Sequence, residues 1–222
     1  MSETMIAKFA RRLIENTVRT NFSFVLANAL ENFQVIGFNS ILLHRSDDLV
    51  LRLYVCEPGK SNLDKSLDQD DNTLLIHNHR FYFQCQTLFG WMANLTYSES
   101  QERTEAGRWF KYGYKSAITS NDGMMRLSLE DSVNLSLDSV EYIEEGDSYE
   151  LQPEQLHKIL VPSDRLVVML FWEHAKVQID QKLYSRCVMP LCSPTRDTNL
   201  QFAEPELRRV LSVVTAALKE RE

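Results

Sequence analysis

Apolar residues in the first 33 positions recur at helical spacing: Met5, Ile6, Phe9 and Leu13, then Phe22, Phe24, Val25, Ala27 and Leu30. That period predicts one or two amphipathic helices. From about Val35 the pattern becomes that of strands. "SILLHRSDDLVLRLYVCE" is two β-rich runs joined at Ser46, Asp47 and Asp48, which reads as a hairpin. Residues 58–72, "PGKSNLDKSLDQDDN", are polar and acidic with no period, and a surface loop is expected there. Strand-like runs follow at 74–89, 91–98, 107–118, 124–129, 133–143, 148–152, 157–161, 165–172 and 177–184. Many short strands separated by turn signals predict an all-β sandwich or barrel. The tail, "EPELRRVLSVVTAALKERE", has Pro205 near a first helical position, acidic residues early and basic residues late, the signature of a C-terminal helix. The expected organisation is a single domain over 1–222: a helical addition at 1–33, a β-barrel at 38–185 and a helix at 203–221.

Composition narrows the class. The chain has 222 residues, 44% of them hydrophobic and 25% charged, enough for one well-formed core. No apolar run approaches the roughly 18 residues that a membrane helix needs. Seven excess negative charges and scattered Lys and Arg argue against nucleic acid as a partner. The N-terminal "MSETMIAKFARRLIENTVRT" has no continuous apolar segment of signal-peptide type, so a cytoplasmic location is expected. In that compartment the four cysteines, Cys56, Cys85, Cys187 and Cys192, read as reduced thiols, and "CVMPLC" is spaced too widely for a zinc knuckle.

The candidate chemistry begins with "LLIHNHRFYFQCQTLFG", residues 74–90. On a strand, His77 and His79 project to one face and could share an ion. An isolated His in an apolar strand is more often a hydrogen-bonded core residue than a ligand. A second stretch, "GDSYELQPEQLHKI" at 146–159, changes that balance, because its Gly-Asp turn, Pro153 and His157 supply a third imidazole.

With these two stretches the sequence resembles a cupin. His77-Asn78-His79, Gln84 and Gly90 match the first cupin motif; Gly146, Pro153 and His157 match the second, over roughly residues 38–185. The resemblance implies an all-β double-stranded β-helix, or jelly-roll, barrel with helices added at both ends. It also implies a divalent metal held by His77, His79 and His157, with Gln84 as a further candidate ligand or as a residue that orients a histidine ring. Gln84 stands where the family usually has a carboxylate. The three-histidine set that remains resembles the cysteine dioxygenase group of thiol dioxygenases, and "QLHKI" and "LVLRLYVCEPG" are similar to segments of that group. That closer resemblance implies Fe(II), dioxygen and a small thiol-bearing substrate, with Arg45 as the counterpart of a substrate-binding arginine. Trp172 and His174 occupy roughly the place of a further pocket motif that the chain lacks, and Cys85, one position late for the family's crosslinked cysteine, is expected as a buried thiol without a crosslink.

Three functions are compatible with these residues: an Fe(II) oxygenase acting on a small polar molecule; a redox-neutral isomerase or lyase using Zn, Ni or Mn as Lewis acid; and a small-molecule-binding module without turnover. The terminal helices could serve a homodimer interface.

Overall fold

The computed structural model describes residues 3–31, 33, 37–59, 75–100, 108–115, 124–177, 179–186, 192–194 and 200–221. In chain order the elements are α1 (Glu3–Asn28), β1 (Ala29–Glu31), β2 (Phe38–Arg45), β3 (Leu49–Cys56), β4 (Ile76–His77), β5 (Phe81–Phe89), β6 (Met92–Ser100), β7 (Arg108–Lys115), β8 (Met124–Ile143), β9 (Ser148–Leu151), β10 (Leu156–Leu160), β11 (Val167–Lys176), β12 (Lys182–Ser185), β13 (Cys192–Pro194), β14 (Leu200–Gln201) and α2 (Glu204–Lys219).

β3, β11, β5 and β9 are neighbours in one antiparallel sheet, and β4, β10, β6 and β8 are neighbours in the other. Apart from the step from β6 to β8, the chain changes sheet at each strand of this set. Eight strands in that order form a double-sheet jelly roll, the architecture of the cupin barrel. β2, β1 and β14 extend the first sheet beyond β3; β12, β7 and β13 extend the second.

Alternation along the strands of the first sheet divides two cores. Leu51, Leu53 and Val55 of β3 and Val168 and Leu170 of β11 face outward under the helices, packed with Ala7, Ala10 and Ile14 of α1 and Leu207, Val210, Leu211 and Val214 of α2. Cys56, Met169 and Phe171 face inward, with Phe83, Cys85, Met92, Tyr149 and Ile159. α1 is two helical pieces meeting at Asn21 (φ −145°, ψ 34°), within the one or two helices that its pattern predicts. α2 lacks a side-chain cap at Ala203, but has Pro at its start, Glu204 and Glu206 in its first turn and Lys219 in its last, a charge order that suits the helix dipole. Arg209 ties α2 to the buried carboxylate of Glu57 at 2.6 Å, and Arg208 lies 3.9 Å from the Phe22 ring centroid. No described helix is long and apolar enough to cross a membrane.

The second sheet curls further. β8 pairs with β7 through Arg126–Asn134 and with β6 through Asn134–Ile143, while β12 bridges β7 and β4. The pairings close a circuit of β8, β6, β10, β4, β12 and β7, and every strand of it contributes to a third core: Ile76, Trp109, Leu156 and Tyr184, with Tyr97, Val133 and Leu135 packed against them. Across it, the Tyr184 hydroxyl donates to Glu99 at 2.6 Å and Lys111 pairs with Glu99 at 2.7 Å.

The hairpin at 46–48 forms as expected. Four strand expectations change. The runs at 124–129 and 133–143 are one strand, because the turn-like Glu130, Asp131 and Ser132 sit in the ladder with β7, accommodated by a bulge at Lys111/Tyr112. The run at 74–89 is two strands in different sheets, parted at residues 78–80. The last run shrinks to β12, and β11 continues past residue 172 to Lys176. Most of the expected loop at 58–72 lies outside the described residues, as does Cys187.

Candidate metal centre

His77 ends the two-residue strand β4, where it stands opposite His157 of β10 on one side and Leu183 of β12 on the other. Directly opposed residues of an antiparallel pair project to the same face, so two of the imidazoles meet by register alone. The third arrives differently. Residues 78–80 carry the chain from one sheet to the other, and the buried Asn78 fixes that crossing. Its N–H donates to Lys182 O (3.3 Å), its side-chain amide donates to Asp180 O (3.1 Å), and its Oδ1 accepts from the Lys182 N–H (2.6 Å). The His79 N–H donates to Pro153 O at 3.1 Å, which ties the crossing to the loop that leads to His157.

The result is a compact triad. Ring centroids lie 4.7 Å apart for His77 and His79, 4.9 Å for His77 and His157, and 5.0 Å for His79 and His157. One nitrogen from each ring falls within 4.8 Å of the others. His79 Nε2 and His157 Nε2 are 2.9 Å apart. Two nitrogens at right angles on an ion bound at about 2.1 Å would be separated by about 3 Å.

The other ring nitrogens fix the tautomers. His77 Nδ1–H donates to Leu75 O at 2.7 Å, and His157 Nδ1–H donates to Asn94 Oδ1 at 2.9 Å. Each bond leaves the lone pair on Nε2, the arrangement a metal-bound imidazole requires. Burial lowers the pKa of all three; His79 and His157 lie well below the ordinary 6.5, pushed further by the imidazoles beside them. The rings are therefore neutral at physiological pH. A donor set of three neutral, converging imidazoles fits a divalent transition metal.

Aromatic rings line the site. Phe83, Phe81 and Phe171 have centroids 4.8, 5.1 and 6.5 Å from that of His79, and Phe83 is 5.7 Å from His157.

The remaining candidates stand elsewhere. Gln84 is not beside the histidines: its side chain donates to Glu150 at 2.5 Å on the opposite face of β5, and the residue facing the imidazoles from that strand is Phe83. The alternation of β5 decides this, since Phe83 and Cys85 occupy the inner core. Arg45 is exposed at the end of β2, by the hairpin tip. The inward arginine is Arg52, whose Nε donates to Glu173 at 2.6 Å, with Ser40 Oγ 3.4 Å from its Nη1. Trp172 packs with the outer core under the helices, and His174 is exposed beside Tyr82, with ring centroids 5.0 Å apart. Both stand on the face of β11 opposite Phe171. Cys85 is a buried free thiol opposite Tyr149; burial pushes it up to about 12, against a hydrogen bond from Tyr149 that lowers it.

Of the two residues that orient the site, Asn94 lies outside both motifs and Asn78 is only the middle residue of His77-Asn78-His79, with no role assigned to it. Their polar side chains in apolar strand segments were the available signal.

No known family model matches the chain, and no curated protein matches it in sequence. Solved structures similar to it include an RmlC-like cupin from Shewanella frigidimarina (10% identity, 67% of this chain and 85% of that one, TM-score 0.36). Others are the polyketide cyclase RemF from Streptomyces resistomycificus (11% identity, 73% and 82%, TM-score 0.39) and a cupin domain from Bordetella pertussis (12% identity, 64% and 97%, TM-score 0.33). The likeness is one of overall fold, and the jelly-roll assignment rests on the strand order and register of the chain itself.

Proposed function

We propose that His77, His79 and His157 hold one divalent metal, Fe(II), and that the chain is a mononuclear oxygenase acting on a small polar substrate such as a thiol-bearing amino acid, with dioxygen as co-substrate. The observation that carries this reading is the convergence of three neutral imidazoles, two with their tautomers fixed by second partners, in an aromatic interior. When bound, the metal supplies Lewis acidity and, as Fe(II), one-electron chemistry toward dioxygen.

The chain's own residues would do the rest. Leu75 O and Asn94 hold two of the rings in a ligating orientation. Phe81, Phe83 and Phe171 keep bulk water away and lower the local dielectric. Three neutral ligands leave a divalent charge uncompensated, and the inward carboxylate of Glu173 is already paired with Arg52. An anionic substrate group such as a thiolate therefore gains more here than a neutral one, because charge attraction strengthens as the dielectric falls.

Elemental analysis of protein purified without added metal, followed by oxygen-electrode assays of the Fe(II)-loaded chain with a panel of small thiols, tests the proposal. The expected result is one ion per chain and oxygen uptake stoichiometric with at least one thiol. Bound Zn, Ni or Mn with no oxygen uptake by the iron-loaded form would replace the oxygenase by redox-neutral Lewis-acid chemistry. Ligand binding that survives H77A and H157A would point to a module without turnover.

A further inference from the structure

Two buried side-chain polar atoms among the described residues have no hydrogen-bond partner: Thr87 Oγ1 and Gln181 Oε1. Thr87 lies on β5 four positions beyond Phe83, where its backbone bonds to Gly146 and Asp147. Gln181 immediately precedes β12, and its place follows from the register. Tyr184 stands opposite Ile76 and Leu183 opposite His77. The paired hydrogen bonds between Asn78 and Lys182 continue the alignment by one residue. Carried one residue further, the same alignment would set Gln181 beside His79, at the point where the chain leaves the ladder.

Side chains of an extended segment alternate between faces. Tyr184 enters the third core and Lys182 reaches Glu130 at 2.8 Å, so both use the outer face. Leu183 stands opposite His77 and shares its face, and by the same alternation Gln181, two positions earlier, would fall on that face. Two of the three rings already spend their Nδ1–H elsewhere: His77 on Leu75 O and His157 on Asn94. A buried carbonyl oxygen without a donor is costly and rare in folded proteins, and where one persists it calls for an explanation, a bound water or ligand among them.

We propose that Gln181 is the fourth polar group of the three-histidine centre, its carboxamide oxygen accepting a hydrogen bond from the O–H or N–H donor that completes the metal's coordination. This rests on the metal reading above and extends it to substrate class. With a metal bound and no substrate, that donor would be water. The substrate that replaces it carries an amine or hydroxyl next to its metal-binding atom. A ligand of the same size without such a donor leaves Gln181 unsatisfied and binds more weakly.

Cobalt(II) alone, titrated into the 222-residue chain, is the probe, read by affinity and by the visible cobalt bands. Q181L should weaken cobalt binding by about tenfold, the scale of losing an outer hydrogen-bonding partner, and shift the bands. Q181E, which keeps the size and brings a charge toward the ion, should bind cobalt at least about tenfold more tightly. Q181E decides the matter if Q181L does not fold. Cobalt affinity and spectrum equal to those of the unaltered chain in both variants, while H79A abolishes binding, would overturn the Gln181 proposal and leave the three-histidine reading standing. An unaltered chain that binds no cobalt would overturn both.

Discussion

The two faces of the first sheet differ in kind. Outward, under α1 and α2, the buried residues are almost all aliphatic: Ile14, Ile41, Leu53, Val168, Leu170, Val210 and Val214 among them. Inward, the same strands present Tyr54, Cys56, Phe83, Cys85, Met169 and Phe171, and the histidine triad adjoins Phe83 and Phe171. The outer core stabilises by area alone. The inner one carries sulfur, aromatic faces and ionisable groups held neutral, at a cost in hydrophobic gain. Stability and chemistry are thus assigned to opposite sides of one sheet, a single peptide thickness apart.

Substitutions can separate the two faces. H157A removes one of three ligands and should weaken metal binding by at least about a hundredfold, since four-ligand zinc sites gain roughly 10–16 kcal/mol in all; calorimetric titration would measure this with the far-ultraviolet spectrum unchanged. The counterpart on the other face is Leu53→Ala, which empties a fully buried position beneath the helices. It should cost about 2–5 kcal/mol in chemical denaturation and leave metal affinity within about twofold. Equal losses of metal affinity from both would mean that the faces are not separable.

Asn94→Leu keeps the fold and frees the His157 tautomer, and a 10- to 100-fold loss of metal affinity, of the order known for outer partners of metal ligands, is expected. Acidity should act on the inner face. The unfolded chain protonates its histidines near 6.5, whereas His79 and His157 in the folded chain resist protonation until well below that. Above pH 6.5 neither state carries the extra protons and the term vanishes. As pH falls below 6.5 the unfolded chain takes up protons first, so the metal-free protein should lose up to about 1.4 kcal/mol per pH unit for each such histidine. In H79A the pH dependence of the melting temperature should flatten. Smallest of all, Q84A and R45A should change metal affinity by less than about threefold and stability by about 0.5 kcal/mol or less, as exposed positions do.

The barrel and the triad were legible in the sequence because register and spacing encode them. Gly146, Pro153 and His157 mark a turn, a loop and a strand start, and these survive into the structure. Gln84 shows where motif matching overrides a simpler rule. It has even parity on a strand whose inner residues, Phe81, Phe83 and Cys85, are odd, so alternation alone sets it on the far side from His77 and His79. Trp172 and His174 were not legible by that rule. "RLVVMLFWEHA" is apolar on both faces, because β11 is buried between the two cores and gives no alternation to read. Arg45 was matched as the arginine upstream of the strand that precedes the histidine pair, while the hairpin turn puts it at an exposed tip and Arg52 inside. The circuit of the second sheet was hidden by the acidic centre of β8, where Glu130 pairs with Lys182 of β12 and Asp131 accepts from the Ser132 N–H without a turn.

The shortness of β4 has a consequence for the order in which the molecule comes together. Two residues, with one register pair to β10 and two to β12, make the weakest seam of the six-strand circuit. Across that seam stand His79 and His157, 78 positions apart in the chain. An ion bound there is a reversible cross-link over a long loop, the kind of tie that removes most freedom from an open chain. The seam should then be the first part of the barrel to part in the metal-free protein and the last to part once metal is bound, so that the three-histidine site would double as the latch of its own fold.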